Sequence, residues 1–231
     1  MSKDLGTLYI VATPIGNMAD MTFRAVEILK SVDTILCEDT RTTKHLLDHY
    51  GIINKTISYH SHSGTGRIDS IATLIREGKS LALVSDAGTP CISDPGVVLV
   101  AALRKEFGND LVVHAIPGAS ALISALSVSG LPAHEFTWLG FVPHKKGRET
   151  FFDRITTIPH TVIFYESVHR FQKTLESLKE KMPGRTIAVA RELTKVFEET
   201  ISGSATEIFD FFEAHPDKIR GEFVIMVAPE K

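Results

Sequence analysis

The segment Leu83-Val84-Ser85-Asp86-Ala87-Gly88-Thr89-Pro90-Cys91-Ile92-Ser93-Asp94-Pro95-Gly96 concentrates more potential chemistry than any other stretch of this 231-residue sequence. An apolar run gives way to small residues, two prolines and two aspartates. If the run is a buried strand, Asp86 stands just past its carboxyl end, where open α/β sheets bind ligands. A carboxylate there accepts hydrogen bonds from an amine or a ribose hydroxyl, and Ala87 and Gly88 let a ligand approach the backbone. The structural alternative is that Asp94-Pro95 caps the next helix and Asp86 caps a turn. Thr13-Pro14-Ile15-Gly16-Asn17 and Ile116-Pro117-Gly118-Ala119-Ser120-Ala121 repeat the pattern after two other apolar runs. Any one alone is weak, but three such strand ends in one sheet suggest a single ligand pocket.

Phosphate-binding motifs fail on inspection. Gly78-Lys79-Ser80 lacks the earlier glycine of a P-loop, since Thr73 stands there, and it leads into a strand where a P-loop leads into a helix. Gly64-Thr65-Gly66-Arg67-Ile68-Asp69 has two of the three glycines of a dinucleotide fingerprint but follows the third strand, not the first. It reads as a strand-to-helix turn whose amides, with Arg67, could hold one phosphate. The stretch from Arg41 to Arg67 is locally basic, with Arg41, Lys44, Lys55 and Arg67, the histidines His45, His49, His60 and His62, and Asp48 as its one acid. It reads either as a solvated helix face or as a lip facing a polyanion. His144-Lys145-Lys146-Gly147-Arg148 is a second basic cluster in an expected loop. His60 and His62 could share a strand face, but no third ligand stands at useful spacing, so no metal is expected.

The elements that must carry these residues follow from periodicity. Strands are expected at Leu8–Ala12, Thr34–Cys37, Thr56–Tyr59, Ser80–Val84 and Leu111–Ala115. Between them lie a helix capped by Thr22 and helices at about Thr42–His49, Arg67–Arg76 and Val97–Phe107. This β-α repetition implies a mostly parallel sheet with crossover helices. A helix over Ser120–Leu126 runs into Ser129-Gly130-Leu131-Pro132, a turn cluster that could mark a boundary. Beyond it strands are expected at Phe136–Phe141, Thr161–Tyr165, Thr186–Ala190, Phe197–Ile201 and Phe223–Val227, with helices at Glu149–Ile155, Val168–Lys181 and Ala205–Ala214.

Composition bounds the rest. Hydrophobic residues make up 43% and charged residues 23%, ordinary for a folded chain with a real core. The net charge of −3 excludes a uniformly basic nucleic-acid coat, so any RNA contact is a local patch. Two cysteines, Cys37 and Cys91, make neither a disulfide framework nor a four-thiolate zinc site, and reduced cytosolic thiols are expected. No apolar run approaches the ~18 residues of a membrane span. Met1–Thr13 reads as a first strand, not a signal peptide.

Five segments in order, Leu8–Asn17, Cys37-Glu38-Asp39-Thr40-Arg41-Thr42-Thr43, Val84–Pro90, Ile116–Ala121 and Gly221-Glu222, resemble the tetrapyrrole-methylase superfamily of S-adenosylmethionine-dependent methyltransferases. Within it they resemble the ribosomal RNA small subunit methyltransferases that 2′-O-methylate a cytidine of 16S rRNA in the decoding centre. The resemblance covers nearly the whole chain. It implies an α/β fold of two α/β domains, residues 1–116 with a mostly parallel sheet and residues 117–231 with a mixed sheet, the cofactor in the cleft between them, and a cytoplasmic homodimer. It implies that Pro14, Asp86, Gly88, Thr89, Ser120 and Ala121 line the cofactor site, joined by Tyr165, Glu166 and Gly221. Arg41, Lys44, His60, His62, Arg67, Lys145, Lys146 and Arg148 are then the expected RNA contacts. Many members of that branch carry a further C-terminal segment, while this sequence stops at Lys231, which bears on RNA affinity and not on the chemistry.

Methyl transfer to a ribose hydroxyl needs an in-line approach and exclusion of water, and a general base adds about 10²–10⁴-fold. Asp39 and Glu166 are the candidate bases; Glu38 and Asp39 could instead pair with Arg41 or cap the next helix. Two rival functions remain on sequence grounds, a tetrapyrrole (precorrin-type) methyltransferase and a non-catalytic RNA-binding module.

Overall fold

The computed structural model describes residues 5–61 and 63–230, without the side chain of Thr65. Its contacts divide the chain into two units, Met1–Ser120 and Ala121–Lys231. The first unit holds β1 (Leu8–Val11), α1 (Phe23–Ser31), β2 (Thr34–Cys37), α2 (Thr40–His49), β3 (Thr56–Ser58), α3 (Thr65–Arg76), β4 (Leu81–Leu83), α4 (Gly96–Phe107) and β5 (Val113–Ile116). All strand pairs are parallel, in the order β3-β2-β4-β1-β5.

Period-two alternation splits the core into two faces. Val11, Ile35, Cys37, Ala82 and Val84 pack with Ala25 and Leu29 of α1 and Leu47 of α2. The alternate residues Leu8, Leu36, Leu81 and Leu83 pack with Ile71 and Ile75 of α3 and Leu99 and Leu103 of α4. Each fully buried aliphatic side chain of this kind contributes about 1.5–3 kcal/mol. The strand order explains the division. The chain leaves β1 across β4 to reach β2, and leaves β4 across β1 to reach β5. Right-handed crossovers running in opposite directions lie on opposite faces. The loops after the neighbouring strands β1 and β4 therefore diverge, which makes their carboxyl ends a topological switch point. The glycine at 118 lets the loop after β5 come close as well, since a Cβ there would lie 2.9 Å from that of Ala12.

The second unit holds α5 (Ala121–Val128), β6 (Phe136–Phe141), α6 (Arg148–Thr157), β7 (Thr161–Ser167), α7 (Val168–Lys181), β8 (Thr186–Arg191), β9 (Glu199–Ser204), α8 (Ala205–Ala214) and β10 (Glu222–Val227). Its sheet, β6-β7-β10-β8-β9, is mixed: β6 and β7 are parallel and the remaining pairs antiparallel. Phe152 of α6, Phe171 and Leu175 of α7 and Phe212 of α8 bury one face against Phe164, Val189, Phe223 and Ile225. A Ser204–Glu207 capping box starts α8.

Two sequence expectations shift. The turn cluster at Ser129–Pro132 is not the division, because α5 packs against β10 and belongs with the second unit. The ninth strand begins at Glu199 and not at Phe197. Glu192 and Thr194 take positive φ values of 48° and 66°, turning the chain, and Val196 and Phe197 stand exposed beyond that turn. Glu199 then starts the strand opposite Arg191, with which it pairs at 3.0 Å.

Candidate functional site

The three loops singled out in the first unit are bonded to one another at the carboxyl edge of the sheet. Thr13, buried, donates its backbone N–H to the Gly88 carbonyl at 3.0 Å and accepts the Gly88 N–H at 3.1 Å. Its hydroxyl donates to the Ser85 carbonyl at 3.1 Å. Thr89 donates its hydroxyl to the Ala119 carbonyl at 3.0 Å, so the loop after β4 is tied to those after β1 and β5. Gly88 has φ +80°, and a Cβ there would stand 3.3 Å from Ile15. Pro14 is buried, Thr89, Ser120 and Ala121 are half-buried, and Asp86 and Ala87 are exposed.

Four carboxylates follow the strands of this unit, and three of them are already bonded. Asp86 Oδ1 accepts the Asp39 backbone N–H at 3.1 Å, which joins the loop after β4 to that after β2. Asp94 Oδ1 accepts the Gly96 N–H at 2.8 Å, at the first residue of α4. Asp39 caps α2, accepting the Arg41 N–H at 2.8 Å, and pairs with the Arg41 guanidinium at 2.7 Å. The Arg41 side-chain and backbone donors hold the Asp39 carboxyl down to about 2. That makes Asp39 a weak base, and the candidate catalytic role drawn from the sequence gives way to the capping role weighed beside it. Glu38 receives no hydrogen bond to its carboxylate from any described residue.

Glu166 is the second correction. It is fully buried near the end of β7, and both its oxygens are occupied. Oε2 accepts from Thr174 at 2.7 Å and faces Arg148 at 3.5 Å; Oε1 accepts the Ser167 N–H at 2.8 Å and pairs with Arg170 at 2.7 Å. A fully buried carboxylate held by these four residues serves the fold, and the catalytic role expected for it gives way to a structural one. Arg148 is corrected with it: its side chain is 6% exposed and turned onto Glu166 and Thr174, so it is not an RNA contact. Arg170 also donates to the Val142 carbonyl at 2.6 Å. Two arginines on one buried carboxylate therefore fix both ends of the loop that carries His144, Lys145 and Lys146, all three exposed.

Tyr165, one residue earlier, is half-buried between the rings of Trp138 and Phe141, with centroids at 4.4 and 5.3 Å. Burial pushes its hydroxyl up to about 12. Gly221 has φ +75°, where a side chain is strained, and a Cβ there would displace the Glu192 side chain.

The basic residues of the first unit lie on one sheet edge. Arg41 is in the first turn of α2 and Arg67 in the first turn of α3, and the two helices leave the carboxyl ends of the edge strand β3 and of its neighbour β2. Lys44, Arg67 and His60 are exposed; Arg41 is exposed but shared with Asp39. His62 lies outside the described residues. Among the described residues no three His, Cys, Asp or Glu side chains converge as a metal site.

Residues 7–208 match the Tetrapyrrole (Corrin/Porphyrin) Methylases. The chain is 47% identical over 227 residues to the ribosomal RNA small subunit methyltransferase I of Streptococcus pyogenes serotype M1, covering 98% of this chain and 77% of that one. This chain belongs to the ribosomal RNA small subunit methyltransferase I family. It is also 44% identical to the Bacillus subtilis (strain 168) member, covering 97% and 76%. With the member from Hydrogenobaculum sp. it is 46% identical, covering 96% of each chain. Among solved structures, diphthine synthase superposes with a TM-score of 0.72 at 12% identity, covering 98% of this chain and 91% of that one. Uroporphyrin-III C-methyl transferase of Thermus thermophilus complexed with S-adenyl homocysteine superposes at 0.62 and 17% identity, covering 96% and 97%. At those identities the likeness is one of fold, and the methylase α/β architecture expected from the sequence is the one present.

In this methyltransferase family member the sequence missed the partners of Glu166. One signal was available: Glu166, Arg170 and Thr174 recur every four residues into α7, which aligns them on one face.

Proposed function

We propose that this chain methylates 16S rRNA of the small ribosomal subunit from S-adenosylmethionine, at the 2′-hydroxyl of a cytidine in the decoding centre. The observation that supports this most is identity of 44–47% along nearly the whole chain with proteins named for that subunit's RNA. The tetrapyrrole alternative rests on the family match over residues 7–208 and on solved structures 14–19% identical, against 44–47% for the rRNA methyltransferases.

The residues fit the cofactor. S-adenosylmethionine carries an amine, a carboxylate, a ribose and a sulfonium but no phosphate, so the missing P-loop is no obstacle. When bound, it supplies an electrophilic methyl group. Asp86 offers an exposed carboxylate for an amine or ribose hydroxyl, and Gly88 and Gly118 let the backbone be approached. Pro14, Thr89, Ser120 and Ala121 complete the lining from the bonded loops, and Tyr165 and Gly221 are further cofactor contacts by the family resemblance. Arg41, Lys44, His60, His62 and Arg67, with Lys145 and Lys146, hold RNA phosphates and orient the ribose. The chain works as a homodimer in the cytoplasm, a reading that rests on the resemblance alone.

The test is methyl transfer from labelled S-adenosylmethionine to 30S particles lacking the modification, followed by nuclease digestion and mass spectrometry. The expected product is a 2′-O-methylcytidine in 16S rRNA, formed with EDTA present. Transfer to a tetrapyrrole, or to no RNA nucleoside, contradicts the reading.

A further inference from the structure

Glu38 directly follows β2 and is half-buried. It lines a cavity of about 440 Å³ with Tyr59, His60, Ser63, Ser93 and Asp94. That volume lies within the range of small-ligand pockets. Asp39 and Asp94 are committed to backbone amides and Asp86 holds the Asp39 amide through one oxygen, whereas no described residue hydrogen-bonds the Glu38 carboxylate. It also stands one residue from the Asp39 N–H that anchors Asp86, the carboxylate assigned to the cofactor. A carboxylate that opens into a cavity beside the methyl donor is placed to serve the acceptor.

We propose that the cavity at Glu38 receives the acceptor nucleoside of the RNA and that Glu38 takes the proton of the hydroxyl being methylated. The inference rests on the methyl-transfer reading above. The hydroxyl oxygen bonds to the methyl carbon as the carbon–sulfur bond breaks, and that bond's electron pair stays on sulfur, which becomes a neutral thioether. The hydroxyl proton passes to a Glu38 oxygen and from there to water. The surroundings suit the role. Burial raises the Glu38 carboxyl above the ordinary glutamate range, Asp86 and Asp94 raise it further, and His60 acts in the opposite sense. A carboxylate so placed is a stronger base than a solvated one.

The experiment compares the wild-type chain with Glu38→Gln. On 30S particles kcat falls on the order of 10²–10⁴-fold. The calorimetric affinity for S-adenosylmethionine and the KM for 30S particles stay within about threefold, the scale of a context effect and far below the loss in kcat. The wild-type rate rises with pH as the Glu38 carboxyl ionises and then levels, and the variant loses that rise. Independently of activity, the Glu38 carboxyl carbon titrates by NMR above the ordinary value of about 4.3. If Glu38→Gln unfolds, Glu38→Asp takes its place and retains part of the rate with the same pH rise. A folded Glu38→Gln with a wild-type rate and pH profile overturns the assignment, as does a loss explained by weaker cofactor or RNA binding. A wild-type chain that transfers no methyl to 30S particles removes the functional reading itself, and this role with it.

Discussion

Asp86 and Glu166 both sit at the carboxyl ends of strands and precede helices, and their sequence contexts gave each a place in the chemistry. Their surroundings separate them. Asp86 is exposed, accepts one backbone N–H at 3.1 Å and keeps its other oxygen free of described partners. Glu166 is fully buried and serves Thr174, Ser167, Arg148 and Arg170. An ion pair of that kind carries a desolvation cost that its hydrogen bonds must offset, so breaking it is severe. A carboxylate like Asp86, exposed and holding one backbone N–H, contributes little to the fold. Burial and the number of donors, not position after a strand, distinguish the acid that holds the fold from the one left open to solvent.

Glu166→Ala leaves Arg148 and Arg170 without their counter-charge, and denaturant unfolding should show a loss of about 3–5 kcal/mol. Asp86→Ala removes one hydrogen bond at an exposed site, and the same measurement should show about 1 kcal/mol. Equal losses in the two variants would erase the distinction.

Asp39 sharpens it through pH. Arg41 lowers its folded-state pKa to about 2, below the unfolded value near 3.8. The stabilisation is therefore complete above the unfolded value and is lost as pH falls from about 4 towards 2. The stability difference between the wild type and Asp39→Ala should shrink over that window. A difference that holds constant to pH 2 contradicts the cap and ion pair.

The smallest effect concerns the cations. Lys44→Ala with Arg67→Ala should leave stability nearly unchanged and flatten the salt dependence of RNA binding by roughly 0.7–0.9 in log–log slope per lost phosphate contact. Arg148→Ala should instead lower stability, because it uncovers Glu166. Filter binding across a salt series, with melting curves alongside, separates the two.

Much of the fold was legible because periodicity is local. β2, β6, α7 and α8 fall at the residues their patterns indicate, and Thr22 caps α1 by accepting the Ala25 N–H at 3.2 Å. The strand order β3-β2-β4-β1-β5 was not legible, since alternation says that a strand is buried and not beside which neighbour. The loops after β1, β4 and β5 were recognisable from their proline, glycine and small residues. Their mutual bonding through Thr13, Gly88, Thr89 and Ala119 depends on residues up to 75 positions apart. The same distance problem hid the roles of Glu166 and Arg148. A basic run that reads His144-Lys145-Lys146-Gly147-Arg148 gives no local sign that its last member turns inward while the others face solvent.

We propose that the bonded loops around Asp86 form a cofactor site whose carboxylate binds ligand and does not hold the fold. Isothermal titration of S-adenosylmethionine into the wild type and Asp86→Ala tests it directly, with a melting curve on each sample. The expected result is saturable binding by the wild type, and affinity weakened by at least about tenfold in a variant that still melts cooperatively, the loss of a charged hydrogen bond being worth about 1.5–3 kcal/mol. Unchanged affinity in a cooperatively folded Asp86→Ala would contradict it.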